Sequence, residues 1–318
     1  MTLKFVISPA PGYICGEQFA DGGVRTGAVF MEGKLVEKAY NLDDINVKWN
    51  TSSIHIEQGA YCGYFMPFFG HLLTEFLPRY EQLKLMDRLD LPILVHPAPW
   101  VREPEKQLRD FPPIPEFLKE LGISFDMLHF CCSDVDVDSL FHTSNTIKLG
   151  QNVGEEMVDI ANSLRARFNF VNEGKKIFLS RSRLESSFRK ADNALEIDRI
   201  FQDFGFEILH PQEMPLRQQI AKVSSATVIA GEEGSAMHLS MFNPMLKTCI
   251  ILDSGRFTRP AAAIDTQKLL NERLGCQTIY CPPTNIEIDH QTAVKMQAGG
   301  RFTVDVENLS KTLEAILE

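Results

Sequence analysis

Several features that mark other protein classes are scarce or missing in this chain of 318 residues. Its seven cysteines are scattered and do not have the spacing of a zinc site. An odd number of dispersed cysteines favours reduced thiols in the cytoplasm over a disulfide-linked secreted domain. The sequence contains no uncharged apolar run of about 18 residues, so no transmembrane helix is predicted. The apolar stretch at the N-terminus is too short for a signal peptide and is typical of a first strand.

The chain also lacks an excess of positive charge. It has 32 lysines and arginines against 42 acidic residues, which gives a net charge of −10. This balance argues against binding to nucleic acid, although a few arginines could hold an anionic ligand locally. The hydrophobic content of 44% and the charged content of 23% are those of an ordinary globular protein. We therefore expect a soluble, cytoplasmic protein, for which peripheral membrane association and the oligomeric state remain open.

The length predicts two domains, since one domain typically has about 150 residues. In the first half, short apolar runs alternate with helical patterns, which favours a Rossmann-like α/β domain over residues 1–150. Strands are expected near residues 1–8, 27–36, 54–56 and 91–95, and helices near 70–80 and 115–122.

The second half has the clearer pattern, with strands alternating with amphipathic helices over residues 151–303. This order predicts a parallel sheet that binds its ligand at the carboxyl ends of the strands. We expect strands at 176–180, 206–209, 226–230 and 247–252, and helices at 194–204, 215–223 and 235–242. Residues 304–318 are predicted to form a terminal helix that could pack back on the first domain.

Three groups of residues follow strands of the second half and should meet at one edge of the sheet: Arg181 with Arg183, His210, and the loop from Gly231 to Ser235. Arginine can bind phosphate through two hydrogen bonds, and glycines allow close approach to the N–H groups of the next helix. The alternative is that the arginines pair with surface carboxylates and the glycines only form a tight turn. The loop matches neither a Walker motif nor a dinucleotide fingerprint.

In the first half, His71 and Glu75 lie four residues apart and share one face of a predicted helix. One interpretation is a core histidine and an ion-paired glutamate, with Arg79 as the partner of Glu75. The other is a general base on a helix beside a cleft. Pro78 lacks a backbone N–H, so we expect the helix to kink or break there.

The short run Asp134, Asp136 and Asp138 has the Asp-x-Asp spacing that some metal-dependent glycosyltransferases use. Its alternation with valine is equally typical of an edge strand or a turn, and we favour that interpretation. No metal site is therefore predicted. Sugar transfer that depends on a metal ion at these aspartates is the least favoured hypothesis for the function of the chain.

The run from Gly70 to Arg79 resembles the GHxxxExLPR motif of glycosyltransferase family 61. Further segments are similar to that family in the same order along the chain. They are Ile177–Arg181, Arg189 with Asn193, Phe204–Glu207 with Gln219, and Gly231–Ala236 with Phe242.

The resemblance implies a GT-B-like α/β fold, in which two Rossmann-like domains face a cleft. It also implies an inverting, metal-independent transferase that needs no cofactor and transfers a sugar from a nucleotide-sugar donor to a glycan acceptor, as in capsular or other surface polysaccharide biosynthesis. Glu75 would be the catalytic base, with His71 orienting it or sharing that role. The implied donor-binding residues, together with those at the predicted sheet edge, are Arg181, Arg183, Asn193, Gly231, Glu232, Glu233, Gly234, Ser235 and His238.

Two positions depart from the family pattern. Glu233 replaces the usual histidine before Gly-Ser, and Leu239 replaces the later asparagine. His238 is a candidate for the missing polar contact. The lost histidine also supports an alternative function, a non-catalytic GT-B-like module that binds glycan or a partner protein in a polysaccharide assembly complex.

Overall fold

The computed structural model describes residues 5–8, 28–31, 34–38, 54–98, 101, 103–111, 113–132, 135–168, 171, 173–184, 190–253, 266–281, 285–287 and 301–317. The chain divides into two compact units, Met1–Thr146 and Ile147–Glu318. Each unit contains a sheet with parallel strand pairs and helices, so the protein is of the mixed α/β class.

The first unit is built on a seven-stranded sheet in the order β3-β2-β1-β7-β4-β5-β6. Strands β4, β5, β6 and β7 pair in parallel, whereas β1 pairs antiparallel with β2 and β7. The first half is therefore a mixed sheet, which differs from the Rossmann-like pattern expected for it. The strands are β1 (Phe5–Ser8), β2 (Ala28–Met31), β3 (Lys34–Lys38), β4 (Ile54–Phe65), β5 (Ile93–Pro97), β6 (Leu128–Phe130) and β7 (Val135–His142).

Strand β4 is longer than the sequence suggested, because it joins the expected strand near Ile54 to the following aromatic run. It is exposed at its start, but every residue from Gly59 to Phe65 is buried. The strand lies between β5 and β7, so its backbone groups find partners on both sides. Such central parallel strands carry continuous apolar runs instead of an alternating pattern.

The helix expected after β4 is continuous through Pro78 but changes its winding. It comprises α1 (Phe69–His71), a π turn (Leu72–Phe76) and α2 (Leu77–Leu85). In the π turn the Leu77 N–H donates to the Leu72 carbonyl, five residues back. Pro78 has no N–H, and its ring would crowd the carbonyl four residues back in a regular α-helix. The wider turn therefore takes the place of the predicted kink or break.

Helix α2 is attached to the end of β7 by buried polar side chains. Arg79 is 3% exposed, and its guanidinium donates to the Thr143 carbonyl at 2.6 Å. Gln82 donates to the Ser144 carbonyl at 3.0 Å and to the Thr146 hydroxyl at 2.8 Å. The unit also contains α3 (Pro104–Arg109) and α4 (Pro113–Glu120).

The second unit contains the predicted parallel sheet, with five strands in the order β11-β10-β12-β13-β14. The chain passes from β10 to β11 on one side and then to β12 on the other, so its direction reverses between β10 and β12. In open α/β sheets, ligands bind at this point. The strands are β10 (Lys175–Leu179), β11 (Glu207–Leu209), β12 (Ala226–Glu232), β13 (Thr248–Leu252) and β14 (Gln277–Cys281).

Helices and two small hairpins complete this unit. The helices are α5 (Met157–Arg165), α6 (Ala194–Asp203), α7 (Leu216–Ser224), α8 (Thr266–Arg273) and α9 (Val306–Leu317). The hairpins pair β8 (Ile147–Lys148) with β9 (Asn152–Val153) and β15 (Asn285–Glu287) with β16 (Arg301–Thr303). Across the described residues, no helix has the length and apolar character needed to cross a membrane.

The core of the second unit shows where the terminal helix packs. Phe178 of β10 and Phe201 of α6 stack with ring centroids 4.0 Å apart. Leu309 and Leu313 of α9 are buried in the same cluster. The terminal helix α9 therefore packs on the core of its own unit.

We expect Gly63→Ala to destabilise the protein more than Gly122→Ala. Both glycines have positive φ, +76° and +68°, so alanine costs about 1–2 kcal/mol of backbone strain at either site. At Gly63 the new Cβ would also lie 2.6 Å from the Arg79 Nε, whereas nothing lies within 4 Å at Gly122. Urea unfolding should show the larger loss for Gly63→Ala. Equal losses would contradict the tight packing of Arg79 on Gly63.

Candidate functional site

His71 and Glu75 form a hydrogen-bonded pair directly after the carboxyl end of β4. The His71 Nδ1 lies 2.6 Å from the Glu75 Oε2. The side chains are 27% and 12% exposed, so the pair is mostly enclosed but still reaches solvent. A carboxylate oriented by an imidazole at a strand end can accept a proton from a bound hydroxyl.

The structure corrects the expected pairing of Glu75 with Arg79. Glu75 bonds to His71, whereas the Arg79 guanidinium points to Thr143 and lies 5.7 Å from the Tyr61 ring centroid. In a regular α-helix the side chains of residues 75 and 79 would be neighbours. The π turn adds a residue to this turn, so Arg79 falls on a different face.

In the second unit, Arg181 and Gly234 meet where the chain direction reverses between β10 and β12. Arg181 follows the end of β10, and Gly234 follows the end of β12. A Cβ on Gly234 would collide with the Arg181 guanidinium, and Gly234 has a φ of +148°. Glycine therefore permits a close approach of the guanidinium to the backbone. This combination suits an anionic group bound at the sheet edge.

Glu232 is the last residue of β12 and is only 3% exposed. It belongs to the strand together with Gly231, whereas the sequence placed both residues in the loop. The Ala191 N–H donates to its Oε2 at 3.0 Å. Burial raises the pKa of Glu232 to about 7, while the Arg181 charge and the bond from Ala191 oppose that rise. Near neutral pH the carboxyl therefore carries only part of a charge beside Arg181.

Two predicted donor-binding residues are engaged in contacts within the protein. Arg183 forms an exposed ion pair with Glu213, in which the Nη1 and the Oε2 are 2.8 Å apart. The Asn193 amide donates to the Val304 carbonyl at 2.8 Å and accepts from the Val304 N–H at 3.1 Å. Arg183 thus forms a surface ion pair, which was the alternative to phosphate binding in the sequence analysis. Asn193 holds the residues just before α9 in place through its two hydrogen bonds to Val304.

The remaining predicted residues follow β12. Ser235 begins a 3₁₀ helix (Ser235–Phe242), and the Glu233 N–H donates to the Leu252 carbonyl at 3.0 Å. His238 lies in this 3₁₀ helix, and its Nδ1 is 2.7 Å from the Gln267 Oε1. The Gln267 amide in turn donates to the Ser240 hydroxyl at 2.8 Å. His238 is therefore held by a buried polar network that includes α8.

The sequence did not indicate the groups that form hydrogen bonds to the predicted site residues. Gln267 and Asn271 lie four apart on α8 and are both buried, and the Gln267 Nε2 donates to the Asn271 Oδ1 at 2.7 Å. Their spacing on a helix could have indicated a shared face, but not that this face meets Ser240. The Ala191 N–H was also missed, because a backbone donor leaves no residue pattern.

Within the described residues, no group of three or more histidine, cysteine or acidic side chains is arranged to hold a metal ion. Asp136 and Asp138 lie on a strand, β7, but this strand is inside the sheet, between β1 and β4, and not at its edge as predicted. The Asp138 carboxylate is 3.2 Å from the His55 imidazole. Asp134 and Arg189 lie outside the described residues.

Comparison with known proteins identifies a family. The sequence model described as Glycosyltransferase 61 matches residues 69–252, more than half of the chain. No curated protein matches.

Among solved structures, the chain is similar to the dodecameric iron-containing heptosyltransferase TibC in complex with ADP-D-beta-D-heptose. The identity is 8% over 79% of this chain and 73% of that one, and the TM-score is 0.31. It is also similar to TibC from enterotoxigenic E. coli, with 10% identity over 99% and 92% and a TM-score of 0.33.

We expect the stability of the protein to fall between pH 5 and pH 8 because of Glu232. Its folded pKa of about 7 exceeds the ordinary value of 4.5, so the folded state retains the proton longer than the unfolded state. The stabilisation is complete below pH 4.5 and is lost as the pH rises through 7. Glu232→Gln cannot titrate, so its stability relative to the wild type should rise by about 2–3 kcal/mol over this interval. Urea unfolding at both pH values measures the change, and a constant difference would contradict it.

Proposed function

The chain belongs to the Glycosyltransferase 61 family, and we propose that it transfers a sugar from a nucleotide-sugar donor to a hydroxyl of a glycan acceptor. One observation carries this proposal: the hydrogen-bonded pair of His71 and Glu75 lies at the start of the matched segment, residues 69–252. Glycosyl transfer to a hydroxyl needs a group that removes the hydroxyl proton, and this pair supplies one.

On the donor side, the proposal is supported by the place of Arg181 at the reversal point of a parallel sheet. A guanidinium can bind two oxygens of a diphosphate at once. The fixed approach to Gly234 holds the charge in position before the ligand binds. Arg181 would then stabilise the negative charge that grows on the leaving nucleoside diphosphate.

The proposed reaction is a single displacement with inversion. The acceptor oxygen forms a bond to the anomeric carbon while the bond from that carbon to the diphosphate oxygen breaks. The hydroxyl proton passes to Glu75, and the electron pair of the broken bond leaves with the diphosphate. His71 donates to the Glu75 carboxylate and fixes its direction. This scheme assigns no step to a metal ion or a cofactor.

The finer parts of the proposal derive from the family resemblance. They are a GT-B-like organisation with the acceptor on the first unit and the donor on the second, and a role in capsular or other surface polysaccharide biosynthesis. We also propose a cytoplasmic site of action. The competing function is a binding module without catalysis, which Glu233 favours because it replaces the family histidine.

We expect Arg181→Met to weaken nucleoside diphosphate binding, with Arg183→Met as its matched control. Both changes remove one guanidinium from the same loop, but Arg183 already pairs with Glu213 at the surface. Loss of a charge-assisted contact of about 1.5–3 kcal/mol corresponds to roughly 10- to 150-fold weaker binding for Arg181→Met. Calorimetry with UDP, GDP, ADP and dTDP measures both variants. An equal effect of the two changes would exclude the assignment of Arg181.

We expect Glu75→Gln to lower sugar transfer by about 100-fold or more, because general base catalysis contributes at least that factor. Affinity for the nucleoside diphosphate should stay within twofold of the wild type, since Glu75 and Arg181 lie in different units. The measurement incubates the protein with UDP-, GDP-, ADP- and dTDP-sugars and p-nitrophenyl glycosides as acceptors, and follows diphosphate release. Full activity of the variant would overturn the assignment of the base, and binding to none of the nucleotides would favour the binding module.

A further inference from the structure

The π turn lies between two parts of one helix that carry charged groups with different partners. Before and within the turn are His71 and Glu75, which bond to each other at 2.6 Å. After it is Arg79, which is 3% exposed and bonded to Thr143. In an uninterrupted α-helix these three side chains would follow one another at intervals of four residues on one face. The extra residue turns the following part of the helix by up to about 100°, the angle of one residue in an α-helix.

Pro78 prevents this turn from closing as a regular α-helix. A regular turn would need the N–H of residue 78 to donate to the Thr74 carbonyl, but proline has no N–H, and its ring would clash with that oxygen. The Leu77 N–H, which would donate to the Leu73 carbonyl in an α-helix, donates to the Leu72 carbonyl, and this bond gives the wider π turn. The Thr74 hydroxyl donates to the Gly70 carbonyl at 2.9 Å, a second interaction that favours bending of the helix here.

We propose that Pro78 is a positioning residue, which acts by maintaining the π turn and so keeps the Arg79 guanidinium away from the Glu75 carboxylate. This inference deepens the proposed function and rests on it. A guanidinium four residues after a glutamate can bind both carboxylate oxygens. Such a pair would stabilise the carboxylate in its charged form and occupy its lone pairs, so that it would accept a proton from the sugar hydroxyl less readily.

The position of Arg79 fits this separation. Its guanidinium is satisfied inside the unit, at 2.6 Å from the Thr143 carbonyl and 3.3 Å from the Thr143 hydroxyl. Its Nε would be only 2.6 Å from a Cβ on Gly63, so the side chain fills a space that glycine leaves open. The fold therefore uses the guanidinium for packing and keeps it out of the site, and the partner of the Glu75 carboxylate among the described residues is the His71 imidazole.

The test replaces the proline in Pro78→Ala, which supplies the missing N–H and permits an α-turn. Pro113→Ala is the matched control, because it makes the same chemical change at the exposed first residue of α4. Turnover is measured with the nucleotide sugar and p-nitrophenyl glycoside that the wild type converts fastest. We expect kcat for Pro78→Ala to fall roughly 10-fold or more, with the donor KM within about twofold of the wild type. Its melting temperature should be no lower than that of Pro113→Ala, since the helix gains a hydrogen bond.

A second change tests the cause. In Pro78→Ala with Arg79→Gln, the amide can still donate to the Thr143 carbonyl but carries no charge, so we expect most of the lost kcat to return. Pro78 is buried, and Pro78→Leu therefore serves as an independent variant that keeps apolar volume and also supplies an N–H. It should show the same loss of kcat.

Three results would overturn the proposal. They are an unchanged kcat in both proline variants, a loss of kcat that Arg79→Gln does not reverse, and a loss that is matched by a lower melting temperature than that of Pro113→Ala. The last result would give Pro78 a packing role only. Glu75→Gln separates these outcomes from failure of the proposed function. An active Glu75→Gln variant removes the base assignment, whereas an inactive one with normal proline variants removes only the role of Pro78.

Discussion

A buried positive charge governs the arrangement of the first unit. Arg79 is almost fully enclosed, and a buried guanidinium is tolerated only when hydrogen-bond acceptors surround it. The Thr143 carbonyl at the end of β7 provides one, and the open space over Gly63 in β4 admits the side chain. The helix that carries His71 and Glu75 is thus tied to two central strands of the sheet. The position of the proposed base follows from that attachment.

Much of the secondary structure could be predicted from the sequence, because hydrophobic periodicity reports local burial. The amphipathic pattern predicted a helix at 194–204, and α6 spans Ala194–Asp203. The mixed order of the first sheet could not be predicted, because the pairing of β1 with β7 joins segments that are distant in sequence. The π turn was missed for another reason: Pro78 indicates that a regular helix is disturbed, but not which of several distortions relieves the clash.

For the candidate sites, the sequence indicated several of the residues but not the partners that they contact in the folded chain. His71 with Glu75, and Arg181 beside Gly234, could be selected from spacing and from their places after strands. The actual partners of Arg183, Asn193 and Arg79 depend on which segments the folded chain brings beside them. Glu232 illustrates the limit: its raised pKa arises from burial at the end of β12, and no spacing rule reports burial of a single glutamate. The sequence therefore indicates the chemistry available, and the fold decides which groups are free to perform it.

The place of β7 in the first sheet has a consequence for how the protein is made. This strand lies between β1 and β4, yet the ribosome produces it after both of them. Until residues 135–142 emerge, the Ile54–Tyr61 part of β4 has an unpaired edge on that side. Pairing between such distant segments is slow, and exposed apolar edges aggregate during synthesis. The nascent chain is therefore prone to aggregation until β7 has been synthesised. During that time β4 is the segment that a chaperone would protect.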